Sequence, residues 1–222
     1  IRQTKTIATP SVMTHSNDLG YMVLQAIQTE PETPSFWKRA GRELAQLHQG
    51  NVGDQYGWRA DNFIGPTPQL NQWTSDWALF WRDFRLQPQR QWARDHGLLD
   101  AELETLLDAL MNRVESWVCD ERPCLLHGDL WSGNLLCRTG GVPVLIDPAV
   151  YLGHREADLA MTTLFGGFPS SFYTAYAEVW PLEPGWELRL RFYGLYHWLN
   201  HLNAFGATYR SACVQTMRTL LR

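Results

Sequence analysis

Lysine is nearly missing from this chain: Lys5 and Lys38 are the only two, and arginine supplies the rest of the 19 basic residues. Against 23 acidic residues the net charge is -4, which gives no basis for a nucleic-acid partner or for attraction to an anionic membrane. Cysteine is also scarce. The four present, Cys119, Cys124, Cys137 and Cys213, form no C-x-x-C pair, and thiols of this kind suit a reducing cytoplasm, the expected location. No secretory signal and no run of about 18 apolar residues occurs, so no membrane partner and a soluble protein are expected. The adjacent Gly166 and Gly167 mark a break and not a phosphate loop, because no G-x-x-x-x-G-K-[ST] pattern surrounds them. Tryptophan, by contrast, is abundant at 11. Most of these must fill an aromatic core, although an indole can also cover a sugar ring.

The chemistry concentrates in residues 124–148, CLLHGDLWSGNLLCRTGGVPVLIDP. Leu125 and Leu126 run into His127-Gly128-Asp129, a polar turn closes at Asn134, and Leu135 to Cys137 form a short buried strand. Arg138-Thr139-Gly140-Gly141 supplies a hairpin turn. Val142, Val144, Leu145 and Ile146 make the return strand, so Asp147 is expected beside the loop that holds Asp129 and Asn134. An Asp and an Asn in a glycine-containing loop are often no more than turn formers that bond their own backbone. The His-Gly-Asp start, the flanking apolar strands and a second aspartate after a hairpin are additional conditions, and together they point to phosphoryl transfer. That reaction needs a carboxylate to orient an attacking hydroxyl and accept its proton, and oxygen ligands for Mg²⁺. HGDLWSGN fits the kinase pattern H-x-D-x-x-x-x-N, with Asp129 as proton acceptor and Asn134 as metal ligand. Asp147 would hold the same ion against the phosphates of ATP. Pro148 follows where a protein kinase has Phe, which favours a small-molecule acceptor. Trp131 is either a stacking surface for a sugar or a core side chain.

The chain resembles the fructosamine kinases, or ketosamine 3-kinases, within the group that includes aminoglycoside and choline kinases. The resemblance is carried by HGDLWSGN, by IDPAVYLGHREADLAMTTLFGGF (residues 146–168), by DNFIG (61–65) and by LYHWLNHLNAFGATY (195–209). It implies an α+β, protein-kinase-like fold: a mostly helical C-terminal lobe with a small catalytic β-hairpin and a remnant of the N-terminal lobe sheet. The implied reaction is ATP-dependent phosphorylation of the 3-hydroxyl of a ketosamine, free or protein-bound. Residues 1–28 would be the N-terminal remnant and hinge, with Gln25 and Ile27 bonding the adenine, and residues 29–222 the catalytic and substrate-binding lobe. The family's glycine-rich loop, strand lysine and helix glutamate have no counterpart, Lys5 lying in a polar segment. The chain starts at Ile1, so a piece of a longer product is expected, with little phosphate transfer of its own. Two rivals stay open: a kinase of an aminoglycoside or choline, with an acidic pocket for its cationic acceptor, and a non-catalytic pseudokinase or binding protein.

The remaining segments read as scaffold. Ile7, Val12 and Tyr21 to Leu24 suggest strands around a polar turn, and residues 29–34 a linker. Ser35 is a plausible N-cap for a helix whose Trp37, Ala40, Leu44 and Leu47 share a face, with His48 capping or solvated at its end. Residues 50–70 have no period and suggest an extended loop on the substrate side or over the core, with Phe63 and Ile64 as plugs. Trp73, Trp77, Phe80, Trp81 and Phe84 form an aromatic helix stripe suited to a core. Asp100 caps a helix with Leu103, Leu107, Leu110, Val114 and Trp117 on one face, expected to run under the hairpin. Asp158 is expected to bond backbone near the catalytic loop, and Arg155 and Glu156 to pair at the surface or touch substrate. Helices follow over 170–179, 185–203 and 208–221. His197 and His201 have zinc-ligand spacing, but Trp198 replaces the glutamate of H-E-x-x-H, which favours packing.

Overall fold

A computed structural model describes all residues, Ile1–Arg222. Strands β1 (Val12–Ser16) and β2 (Tyr21–Leu24) form an antiparallel hairpin whose apolar side chains stay largely exposed. Helix α1 (Pro34–Gly50) starts where Thr33 Oγ1 accepts the Phe36 amide at 3.2 Å, with Pro34 in its first turn. The cap is therefore Thr33 and not Ser35, because a proline lacks the amide that a cap must satisfy and fits the first helical position. A second hairpin, β3 (Asn62–Ile64) with β4 (Thr67–Gln69), occupies the stretch expected to be irregular. Its three-residue strands are too short to show a period. Ile64 is buried as a plug would be, whereas Phe63 is exposed.

Helix α2 (Trp77–Trp81) is capped by Asp76, continues through a π-helical turn at Arg82–Leu86, and runs into α3 (Gln87–Asp95). Trp77, Phe80 and Trp81 are core residues, but Trp73 precedes the cap and is exposed. Asp100 Oδ1 accepts the Leu103 amide at 3.0 Å and caps α4 (Ala101–Met111). That helix ends at Met111, short of the expected Val114 and Trp117, which lie in a separate 3₁₀ turn, Val114–Trp117. It packs on α8, while the helix lying against the hairpin strands is α1. One broad side of α1 serves this packing, since Phe36, Ala40, Leu44, Ala45 and Leu47 are all fully buried, while Lys38, Arg39, Arg42, Gln46 and Gln49 on the other side are exposed. Each such Leu or Phe contributes about 1.5–3 kcal/mol on burial.

Strands β5 (Cys124–Leu126), β6 (Leu135–Arg138), β7 (Val142–Leu145) and β8 (Tyr151–Gly153) form two antiparallel pairs, β5 with β8 and β6 with β7. The β6–β7 hairpin matches expectation; β8 does not, its three residues being hidden in a mixed stretch. Helices α5 (Glu156–Met161), α6 (Ser170–Val179), α7 (Trp186–Phe205) and α8 (Arg210–Leu220) complete the chain. The last three fall where the apolar period places them. α7 is buried over most of its length between α5, α8 and α3. α1 and α6 meet at Gly41, where any Cβ would overlap the Phe172 carbonyl, so their backbones approach as only glycine allows. No helix is long and apolar enough to cross a membrane.

Candidate active site

The loop between β5 and β6 is held from behind by one carboxylate. Asp158 on α5 accepts the amides of His127 and Gly128, one on each oxygen, both at 2.7 Å. His48 Nε2 donates to Asp158 Oδ2 at 3.1 Å, and His48 Nδ1 lies 2.8 Å from the Tyr176 hydroxyl on α6. A carboxylate can only accept, so Nε2 carries a hydrogen. His48 is fully buried, neither a cap nor solvated. Its partners lie more than a hundred residues away in sequence, where no local pattern can reveal them. Burial works against the charge of Asp158, but its bond and electrostatic attraction to His48, with further help from His127 and the Gly128 amide, outweigh it and hold its pKa below the usual carboxylate value.

The same loop is tied to the segment after β7. His127 Nδ1 accepts the Asp129 amide at 3.3 Å, leaving Nε2 to donate to the Ile146 carbonyl at 2.9 Å. Burial lowers the His127 pKa, which agrees with this neutral ring. The Ile146 amide donates to the Asn134 carbonyl at 3.0 Å, and the Ala149 amide to the His127 carbonyl at 2.8 Å. Gly128 has φ +85°, and a Cβ there would overlap the Ala149 carbonyl. Asp147 therefore stands on a short connection bound at both ends, with its backbone in the left-handed region at φ +51°. An aspartate tolerates that conformation better than most residues but still at a cost.

Asp129 and Asn134 meet directly: the Asn134 amide nitrogen donates to the Asp129 carbonyl at 2.8 Å and to Oδ2 at 3.2 Å. Burial, and then the charge of Asp147, push the Asp129 carboxyl up to about 6, against the smaller effect of the Asn134 bond. The three side chains thus share one electrostatic neighbourhood. Asn134 Oδ1 and the exposed Asp147 carboxylate have no hydrogen-bond donor from the protein. An amide oxygen and a free carboxylate, beside the second carboxylate of Asp129, are the hard-oxygen donor set that suits Mg²⁺. Trp131 is 37% exposed on this loop, so it is not a core residue. Gln25 and Ile27 lie just before the segment that pairs with the β6 edge, where the Glu30 amide donates to the Cys137 carbonyl and the Thr139 amide to Gln28. The Gln25 amide is taken by the Ser11 carbonyl at 2.8 Å, whereas the Ile27 amide has no backbone partner.

Other polar residues have structural partners. Arg155 is buried and bonds the Trp180 and Pro181 carbonyls and Glu121, while Glu156 receives both ends of Arg189. Neither is the surface pair or substrate contact expected, because α5 is enclosed and its charges must be neutralised inside. His201 Nδ1 donates to the His197 carbonyl at 2.9 Å, and no third ligating side chain converges with the two rings. Cys119, His154 and Glu156 do bring ligand atoms within 4.8 Å of one another. However, His154 Nδ1 accepts the Glu156 amide, so Nε2 carries hydrogen, and Glu156 is occupied by Arg189. A cavity of about 590 Å³ between the 163–168 loop, α7 and α8 contains none of the site carboxylates.

Comparison with known proteins bears on this arrangement. The family model described as fructosamine kinase matches residues 1–222. A probable ketoamine kinase of Synechocystis sp. is 42% identical over 99% of this chain and 74% of its own length. A chloroplastic protein-ribulosamine 3-kinase of Arabidopsis thaliana is 44% identical over 82% of this chain and 56% of its own. The crystal structure of a candidate fructosamine-3-kinase from Thermobifida fusca superposes with a TM-score of 0.89 at 36% identity, covering 96% of this chain and 73% of that one. An aminoglycoside phosphotransferase at 17% identity shares the fold with a TM-score of 0.67 over 98% of this chain and 77% of its own, so the architecture is protein-kinase-like. Taken with the loop geometry, these likenesses place the chain in the fructosamine kinase family.

Proposed function

We propose that this protein transfers the terminal phosphate of ATP to the 3-hydroxyl of a ketosamine, with Asp129 as proton acceptor. The observation that carries the proposal is the Asp129 carboxyl itself, half-buried against Asn134 and Asp147 and raised to about 6. A base is most useful when its pKa lies near the working pH, and this carboxylate is both ionised and more basic than an exposed one. Asp129 takes the hydroxyl proton as the sugar oxygen bonds to phosphorus and the bridging oxygen leaves with ADP. Asn134 Oδ1 and Asp147 would hold Mg²⁺, which when bound neutralises charge on the phosphates. The Asn134 amide, bonded to Asp129, keeps the carboxylate turned towards the acceptor. Trp131 shapes the sugar side.

Residues 1–28 are proposed as the outer strands of an N-terminal lobe and a hinge in which the free Ile27 amide, with the backbone of Gln25, meets the adenine; residues 29–222 form the catalytic lobe. Residues 1–222 hold no glycine-rich phosphate loop and no strand lysine, and alone are expected to transfer little phosphate. The assay therefore uses the full-length gene product. ADP release with a synthetic fructosamine, an aminoglycoside and choline is expected for the first acceptor only. Release with one of the others would move the chain's acceptor to that class, and release with none would support the pseudokinase. The ketosamine reading is favoured by the names of relatives above 40% identity; the aminoglycoside neighbour, at 17%, supports the fold alone.

A further inference from the structure

The loop between α5 and α6 has a backbone that its sequence makes costly. Phe165 has φ +52°, and Gly166 and Gly167 follow at +99° and +69°. Glycine enters this region freely; a phenylalanine there is strained by its Cβ. Strain of this kind persists where the surroundings fix it and often marks a functional position. Here it sets the ring of Phe165 edge-on to Trp131, centroids 6.4 Å apart, edge-on to Trp198 at 5.1 Å and against His201 at 4.5 Å. Trp131 in turn lies over Gly133, where any Cβ would meet the indole. Neither Trp131 nor Phe165 belongs to the hydrophobic core or to the residues packed against it. Two rings, one on the loop of Asp129 and one packed edge-on against it, are thus held without being needed to fill the interior.

The segments that supply Phe165 and its ring partners carry no charge. Residues 159–177 and 192–209, which supply Phe165, Trp198 and His201, contain no Asp, Glu, Lys or Arg. Burial lowers the His201 pKa, so that ring adds no positive charge at neutral pH. A ketosamine carries a secondary amine that is protonated at neutral pH, next to the sugar carbons that must approach Asp129. These segments offer that cation no carboxylate, and among their side chains the negative faces of the rings attract it.

We infer that Phe165 is a specificity-determining residue of the acceptor site, where with Trp131 it holds the protonated amine of the ketosamine against aromatic faces. This rests on the kinase reading above. The test uses the full-length gene product and two synthetic acceptors: a fructosamine of a secondary amine, and its counterpart with an ether oxygen in place of nitrogen. In Phe165→Leu and Phe165→Gly, KM for the amine should rise about tenfold with kcat within about twofold of wild type. KM for the ether should barely change. Phe165→Tyr keeps the aromatic face and should keep the wild-type KM. In thermal melts the Gly variant should unfold above the Leu variant, because only the latter retains the strained backbone. Affinity then follows the ring while stability follows the backbone. Equal KM changes for both acceptors, a Tyr variant as impaired as Leu, or KM losses that track melting temperature would overturn the assignment. Absence of turnover in the wild type would instead sink the kinase reading, and this proposal with it.

Discussion

The rear and the front of the catalytic loop are built in opposite ways. Behind it, Asp158, His48 and Tyr176 are fully buried, and every oxygen of Asp158 is committed to an amide or an imidazole. In front, Asp147 is exposed with strained backbone, Asn134 Oδ1 is unclaimed, Trp131 is open, and Phe165 is strained and only half-buried. The rear spends its polar groups on the protein itself; the front leaves them for something else. Fixing one side is what allows the other to be preorganised, because a free ligand oxygen is useful only if the backbone beneath it does not move.

Substitutions can break that contrast, and the largest loss of stability should come from the rear. Asp158→Asn keeps the shape but replaces one acceptor by a donor facing amides and His48, and should cost about 3–5 kcal/mol in denaturant melts at pH 7. The Asp158 pKa is lowered in the folded state, so its stabilisation is present above the ordinary carboxylate value and is lost as pH falls through the folded one. The gap between wild type and variant should therefore narrow below about pH 4. Equal gaps at pH 7 and pH 3 would show that the charge of Asp158 is not what holds the loop.

Gly128→Ala comes next, at about 2–4 kcal/mol, since it adds an overlap with the Ala149 carbonyl to the left-handed backbone cost. Gly140→Ala is the control: φ is again +85° but a Cβ meets nothing, and about 1 kcal/mol is expected. Similar losses for the two would remove Ala149 from the account.

The front should respond with the opposite sign. Asp129 has a raised pKa, so its contribution to stability is full below the ordinary value near 3.8 and is lost as pH rises through about 6. Asp129→Asn should then raise stability by about 1–3 kcal/mol at pH 8 and by nothing below about pH 4, while kcat falls at least ~100-fold. In the wild type, kcat should decline as pH drops below about 6, where this carboxyl protonates. The smallest change in stability, within about 0.5 kcal/mol, is expected for Asp147→Asn, which keeps a residue tolerant of φ +51°. Isothermal titration should nevertheless show Mg²⁺-dependent nucleotide binding lost, and its retention would remove Asp147 from the metal site.

The front was far more legible in the sequence than the rear. Asp129, Asn134 and Asp147 fall at spacings set by a turn and a hairpin, both local structures with residue signatures of their own. The caps at Asp100 and the apolar periods of α6, α7 and α8 were equally local. His48 gave no such signal: a histidine near a helix end looks solvated until a distant aspartate and tyrosine close around it. Arg155 and Glu156 resemble a surface pair for the same reason, since nothing in six residues tells that α5 will be enclosed on every side. Phe165 carries no pattern in the sequence, because its mark is a backbone angle, and Gly166-Gly167 announce only a break.

The chain from Ile146 to Ala149 is a strut of fixed length. It joins the end of β7 to the approach of β8, and the loop from His127 to Asn134 grips it from Ile146 at one end to Ala149 at the other. Adding or removing a residue there would shift one strand pair against the other and misplace Asp147, whereas at Gly140 and Gly141 an added Cβ would meet nothing. The distance between the two strand pairs thus works as a gauge that the chemistry depends on.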